Sequence, residues 1–248
     1  MRSIILAIGL LLSFGSHTAS ISAYRVYLDP ENRTNKFMVT NNSNHIEKCE
    51  IKFSYVKYDE YANALALTDI EKTALSQPAL SRIRYSPKNF SIDPREVQYI
   101  TFAMKRRINE EPNEYRTYFN LRCVNDSHSE QSPNNRFTIK PVLVHSVPLI
   151  VRTGKLNAKL SFDNVTRANS SVSFQLTRTG ERSVFGDIKL YTASGEEIST
   201  LSRSVVLYPE MKYKEFNFSL SGYEDKKLKL VFEEKLKYGG SLTVEQNI

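Results

Sequence analysis

Large apolar side chains alternate with polar ones along most of this chain, a period that places them on one face of an extended strand. The alternation recurs in both halves: Tyr24-Val26-Leu28, Phe37-Val39, Ile51-Phe53-Tyr55, Ile100-Phe102-Met104 and Tyr115-Thr117-Phe119-Leu121, then Val172-Phe174-Leu176, Ile188-Leu190, Phe216-Phe218-Leu220 and Leu228-Leu230-Phe232. Turn residues such as Asp29-Pro30 and Asn41-Asn42-Ser43 separate these segments. The pattern predicts an all-β protein of antiparallel strands, with one short helix where Thr68 and Glu71 have the spacing of a capping box.

A short polar break with a flexible glycine, Arg152-Thr153-Gly154-Lys155, divides the strands into two sets. Each half then holds roughly 100 to 125 residues, the size of an immunoglobulin-like β-sandwich. We therefore expect an N-terminal domain over residues 24–152 and a C-terminal domain over residues 155–248. The chain contains no tryptophan, which disfavours the antibody type of domain, where a Trp packs against the disulfide.

The first 23 residues have the order of a secretory signal peptide. Arg2 precedes an apolar run from Ile4 to Phe14, and small residues follow, with cleavage expected after Ala19, Ser20 or Ala23. A membrane anchor is the alternative, but the run is shorter than the ~20 apolar residues that span a bilayer. Export to an oxidising compartment favours a disulfide between the two cysteines, Cys49 and Cys123, over two buried free thiols.

The residues that usually carry catalysis or bind metals do not form a recognisable constellation. His45, His128 and His145 lack convincing partners, and Asp126-Ser127-His128 are adjacent residues of a polar loop that cannot easily converge on one point. Zinc, calcium and phosphate-binding spacings are missing from the sequence. We expect no enzyme activity, no catalytic residue, no metal and no cofactor.

The formal net charge of +7 is scattered along the chain in small groups. Such a distribution is typical of a solvated surface, and no basic helix or nucleic-acid motif accompanies it, so we expect no nucleic-acid partner. Several Asn-x-Ser/Thr triplets would be glycan acceptors in a eukaryotic secreted protein. They keep open an alternative function as a secreted immunoglobulin-like adhesin or receptor ectodomain.

Three segments of the first half resemble the periplasmic chaperones of pilus and fimbria assembly, in their divergent or archaic branch. These are residues 24–29 (YRVYLD), 84–94 (RYSPKNFSIDP) and 114–122 (EYRTYFNLR), and their order and spacing agree over roughly residues 24–155. The resemblance implies two sandwiches in an L or boomerang arrangement. It further implies a periplasmic protein, monomeric when free and not embedded in a membrane, that binds pilus subunits by lending them a strand and delivers them to an outer-membrane usher.

The resemblance also implies residue roles in the cleft, where an Arg and a Lys of such chaperones hold the C-terminal carboxylate of the subunit. Arg25 matches the Arg, whereas Pro148 stands near the position of the Lys. Arg84 and Arg152 are the candidates for the second cation. A surface arginine without a partner is the alternative for Arg25.

The segment from Phe137 to Val147 is the expected donated strand. Phe137, Ile139, Leu143 and Val147 share one face under strict alternation, and Pro141 favours a sheet edge because it cannot donate a ladder hydrogen bond. An ordinary core strand is the alternative, because Val142 and Val144 make the opposite face apolar too.

Overall fold

The computed structural model of the protein describes residues 19–125, 142–168 and 170–248. Nearly all regular structure in these ranges is β, as the alternation predicts. The strands are β1 (Ser20–Ile21), β2 (Val26–Leu28), β3 (Thr34–Thr40), β4 (Glu47–Ser54), β5 (Lys57–Tyr58), β6 (Ala64–Leu65), β7 (Ile83–Ser86), β8 (Asn89–Ile92), β9 (Val97–Met104), β10 (Asn113–Asn125), β11 (Val144–Thr153), β12 (Ala158–Ala168), β13 (Ser171–Gly180), β14 (Val184–Thr192), β15 (Glu197–Leu207), β16 (Tyr213–Ser219), β17 (Leu228–Glu234) and β18 (Thr243–Asn247).

The predicted helix is confirmed as α1 (Asp69–Leu80). Thr68 accepts a hydrogen bond from the Glu71 amide, and the Glu71 carboxylate accepts one from the Thr68 amide, which completes the capping box. A short 3-10 helix, Leu236–Tyr238, precedes Gly239 in the left-handed region. Within the described ranges, neither helix is long and apolar enough to cross a membrane.

The first sandwich packs a four-stranded sheet against a five-stranded sheet. Their strand orders are β1-β3-β9-β7 and β2-β11-β10-β4-β8. Alternate residues of both sheets fill the core between them, among them Phe37, Phe102 and Phe119, whose rings contact one another edge to face or tilted. The chain passes repeatedly between the two sheets; the β1–β2 connection lies on one side of this sandwich and the β7–β8 connection on the other.

The second sandwich packs β12-β13-β16 against β15-β14-β17-β18 around a separate buried cluster. Tyr27 of β2 and Ile150 of β11 belong to this second cluster, although their neighbours Val26 and Val151 belong to the first. The chain is therefore an all-β protein of two sandwiches that share a packed junction. The exact limits drawn between the two domains, at residues 152 and 155, stay a prediction.

The end of the predicted leader lies within the described residues. Residues 1–18 lie outside the described residues, but Ser20 and Ile21 pair with Thr40 and Val39 of β3. Ala19 is buried against the same core. Of the expected cleavage sites, the one after Ala19 keeps this strand in the first sandwich; the limit of the leader stays a prediction.

Candidate partner-binding site

The outer face of the five-stranded sheet forms one wall of the junction between the sandwiches. Successive residues of β2, β10 and β11 point alternately into the first core and out toward the second sandwich. The outward set includes Tyr27, Arg116 and Ile150; Arg116 and Ile150 lie opposite each other in the β10–β11 ladder, as do Tyr27 and Ile150 across the parallel β2–β11 pair. Arg25 precedes β2 on the same outward face.

Arg25 is almost completely buried at this junction, with 2% of its surface exposed. One guanidinium nitrogen, Nη2, donates to the Ser183 hydroxyl at 3.1 Å, and the guanidinium carbon lies 4.7 Å from the centre of the Phe185 ring. The Nε atom has no hydrogen-bond partner, and no carboxylate of the described residues lies within 4 Å. A buried cation without a counter-ion gains free energy from any anion that reaches it.

Arg152 lies at the same junction, but each of its three guanidinium nitrogens already donates a hydrogen bond within the protein. Its Nε donates to Glu114 Oε2 at 2.7 Å, Nη1 to the Gly239 carbonyl at 2.7 Å and Nη2 to the Ser183 carbonyl at 2.9 Å. The expectation that Arg152 supplies a free second cation is therefore corrected: its charge is paired with Glu114, and its other two bonds form a bridge to the second sandwich. Glu114 extends the bridge, because its other oxygen accepts the Ser183 amide.

Arg116 is a junction cation that sequence reasoning did not single out. It pairs with Glu210 of the second sandwich, donates to the Val56 carbonyl at 2.8 Å and stacks on the Tyr208 ring, with 3.7 Å from its guanidinium carbon to the ring centre. The only sequence signal was its place in the Glu-Tyr-Arg segment of β10. Its carboxylate partner lies 94 residues away in sequence, so alternation could not reveal the pair.

Two tyrosines complete this wall in their neutral form. Burial raises the pKa of Tyr27 to about 12, although the nearby Arg152 opposes the shift. Burial also raises the pKa of Tyr118, whose hydroxyl donates to the Tyr208 hydroxyl at 3.0 Å. Both side chains therefore offer hydroxyl groups and apolar ring surface, and no negative charge that would neutralise Arg25.

Arg84 does not join this site. It is an exposed residue of β7, which is the edge strand at the far end of its sheet from β1. Because Arg25 lies between β1 and β2, the two arginines occupy opposite sides of the first sandwich. The expectation that Arg84 contributes to the same carboxylate clamp is wrong for this reason.

The first half of β11 has an open edge. β10 pairs with all of β11, whereas β2 covers only Leu149, Ile150 and Val151 on the other side. Within the described ranges, no backbone hydrogen bond fills that side of residues 144–148. Pro148 lies at the end of this open stretch, where its missing amide costs no ladder bond.

Exposed apolar side chains lead into this open edge. Val142, Leu143 and Val144 are 45%, 50% and 47% exposed, and they are consecutive in the chain. Val147 is 1% exposed and belongs to the first core, so its predicted place on a partner-facing surface is corrected to the core alternative. Phe137, Ile139 and Pro141 lie outside the described residues.

The predicted disulfide is confirmed, and it lies beside the site rather than in it. Cys49 of β4 and Cys123 of β10 are directly opposite in the antiparallel ladder, with a sulfur–sulfur distance of 2.06 Å. Glu47 is near these sulfurs, and its buried carboxylate has one oxygen without a partner. Cysteines joined in a disulfide are not metal ligands, so this group does not form a metal site.

No protein-family model matches the chain, and no curated protein matches it in sequence. Among solved structures, the CupB2 chaperone of Pseudomonas aeruginosa is 14% identical with a TM-score of 0.49, covering 92% of this chain and 100% of that one. The E. coli chaperone DraB is 14% identical with a TM-score of 0.47, covering 94% of this chain and 97% of that one.

A third similar structure is the CsuC–CsuE chaperone–tip adhesion subunit pre-assembly complex from archaic chaperone-usher Csu pili of Acinetobacter baumannii. It is 11% identical with a TM-score of 0.47, covering 92% of this chain and 97% of the matched chain. Each of these three structures contains a chaperone. Since the identities are this low, we argue function from the residues of this chain itself.

Proposed function

We propose that this protein is a periplasmic chaperone that binds pilus or fimbrial subunits by lending them the edge of β11, and that it delivers them to an outer-membrane usher. The observation that carries the proposal is the open edge of residues 144–148, flanked by the exposed apolar residues 142–144. The N-terminal half of the chain resembles such chaperones, and this resemblance suggests that the partner is a subunit whose sandwich lacks its last strand.

The open edge provides the two kinds of interaction that strand lending requires. Unpaired backbone groups of residues 144–148 can form main-chain hydrogen bonds with a strand of the partner. The exposed apolar side chain of Leu143 can enter a groove of the partner, and burying the half that is now exposed stabilises the complex by about 1 kcal/mol. An apolar open edge left uncovered promotes aggregation, so a natural partner that covers it is expected.

Arg25 is the residue we assign to the subunit's terminal carboxylate. It is the junction arginine whose guanidinium lacks a carboxylate among the described residues, in contrast to Arg116 and Arg152. A carboxylate entering the junction would replace the single hydrogen bond to the Ser183 hydroxyl with a charge-assisted pair. The side chain is buried in the free protein, so binding would also require Ser183 or the Phe185 ring to move aside.

The proposal is tested by co-expressing the protein in a bacterial periplasm with a pilus subunit from a neighbouring gene. The wild type should recover the subunit, and hydrogen exchange should show new protection in the complex at those amides of residues 144–147 that point away from β10. Leu143→Asp should abolish recovery, because it places a charge in the groove. The matched control is Ile70→Asp on α1, an exposed apolar residue away from the edge, which should recover the subunit normally.

Arg25→Ala should bind the subunit at least tenfold more weakly, and Arg25→Lys should not restore binding because a lysine lacks the planar fork that pairs with both carboxylate oxygens. Normal binding by Arg25→Ala would remove this residue from the site while leaving the open edge in place. Recovery of a sugar or a host receptor, with no subunit, would refute the chaperone function and favour the adhesin.

A further inference from the structure

A second open edge lies on the side of the first sandwich opposite β11. β7 pairs with β9 on one side only, and within the described ranges no backbone hydrogen bond fills its other side. A groove of about 530 Å³ is lined by residues of β7, of its neighbour β9 and of the segments that follow these two strands. Its lining is Ile83, Arg84, Tyr85, Ser86, Lys88, Thr101, Ala103 and Lys105.

The groove is positively charged and contains no acidic side chain. The strands β1, β3, β7 and β9 of its sheet include no Asp or Glu. Arg84 and Lys88 are exposed, and no carboxylate of the described residues lies within 4 Å of either of them or of Lys105. Lys105 donates to the Ser81 carbonyl, a neutral group, so its charge is also uncompensated.

We propose that this groove binds an extended, acidic polypeptide segment, which adds to β7 as a further strand. The open strand edge selects a polypeptide, because only another backbone offers amides and carbonyls at the spacing of a ladder. The positive charges of Arg84, Lys88 and Lys105 favour a ligand with carboxylates, and Arg84 can bind one carboxylate through two parallel hydrogen bonds. Thr101 and Ala103 are small enough to leave room for side chains of the added strand along the outer face of the sheet.

This surface is separate from the proposed subunit site. Arg25 and the edge of β11 lie at the β1/β2 side of the sandwich, and the groove lies at the β7/β8 side. Both can therefore be occupied at the same time, and the loss of one need not affect the other. Arg84, which the sequence suggested as part of a carboxylate clamp, retains a carboxylate-binding role here with a different ligand.

The test uses a short fluorescein-labelled peptide of alternating Glu and Thr, with binding followed by anisotropy at low ionic strength. We expect saturable binding to the full chain, weakened about tenfold or more by the double variant Arg84→Glu with Lys88→Glu. The matched control carries Lys159→Glu and Arg203→Glu on exposed positions of the second sandwich, so it has the same net charge. It should bind the peptide as tightly as the wild type.

A second probe separates strand addition from simple charge attraction. The same peptide with alternate amides N-methylated keeps its charge but cannot complete a ladder, so its binding should be about tenfold weaker. The proposal is overturned if the wild type does not bind the peptide, if the control variant loses binding equally, or if the N-methylated peptide binds equally well. Tighter binding of an oligothymidine or of anionic lipid vesicles than of the peptide would also overturn it.

Discussion

Removing the disulfide should destabilise the protein by a predictable amount. Cys49 and Cys123 are 74 residues apart and lie opposite each other on β4 and β10, two interior strands of the five-stranded sheet. In the chain-entropy model, opening a closed loop of this length costs about 4.5 kcal/mol at 25 °C. Cys49 is buried, so a Cys49→Ala and Cys123→Ala double variant also loses packing contacts of its sulfur.

The assay is equilibrium unfolding in guanidinium chloride, followed by far-UV circular dichroism because the chain has no tryptophan. We expect the double variant to lose about 4 to 5 kcal/mol in the free energy of unfolding of the first sandwich. The wild-type protein kept under reducing conditions should lose a similar amount of unfolding free energy. Because it retains both cysteine side chains, it measures the effect of the cross-link without the change in packing. A loss below about 1 kcal/mol in both samples would show that the denatured chain is not restrained by this bond, and the reasoning would fail.

Three further predictions concern buried side chains. Val147→Asp should destabilise the free protein by at least about 3 kcal/mol in chemical unfolding, because it places a charge in the core, whereas Leu143→Asp, at a half-exposed position, should cost under about 1 kcal/mol; equal losses would contradict this difference in burial. Burial raises the pKa of Glu47, so the charged carboxylate destabilises the folded protein at neutral pH, and this destabilisation disappears as the pH falls through the raised pKa and the group is protonated. Glu47→Gln should therefore raise the melting temperature at pH 7 and change it little at pH 4. Glu234→Gln should destabilise the second sandwich by about 3 kcal/mol, since it leaves buried Arg182 without its carboxylate; an unchanged unfolding midpoint would contradict this.

The sequence predicted those parts of the fold that depend on local pattern. Alternation identified the strands, and the Thr68–Glu71 spacing identified the start of α1, because each rests on residues a few positions apart. The pairing of Cys49 with Cys123 followed from the presence of only two cysteines in a chain with an export signal, and the two residues lie opposite each other in the β4–β10 ladder. The strand Ser20–Ile21 was missed because it is too short to show alternation.

The candidate site was only partly predictable, because its roles depend on long-range partners. Alternation showed that β11 has two apolar faces but could not tell that Val147 packs inward; that depends on which sheet lies beneath it. Arg25, Arg116 and Arg152 look alike in sequence, yet two of them have carboxylate partners and one does not. The difference arises from Glu114, which lies opposite Arg152 in the β10–β11 ladder, and from Glu210, which the second sandwich brings to Arg116.

β11 contributes to the open edge at one end and to the junction between the sandwiches at the other. Its first half is the open edge, whereas its second half carries Ile150 into the second core and Arg152 into the bridge between the sandwiches. A strand is stiff along its length, so a partner that pairs with residues 144–148 also restrains the groups that set the angle between the sandwiches. If the two sandwiches adopt more than one relative orientation, partner binding and orientation are thermodynamically linked: an orientation that binds the partner more tightly is favoured by the bound partner to the same factor.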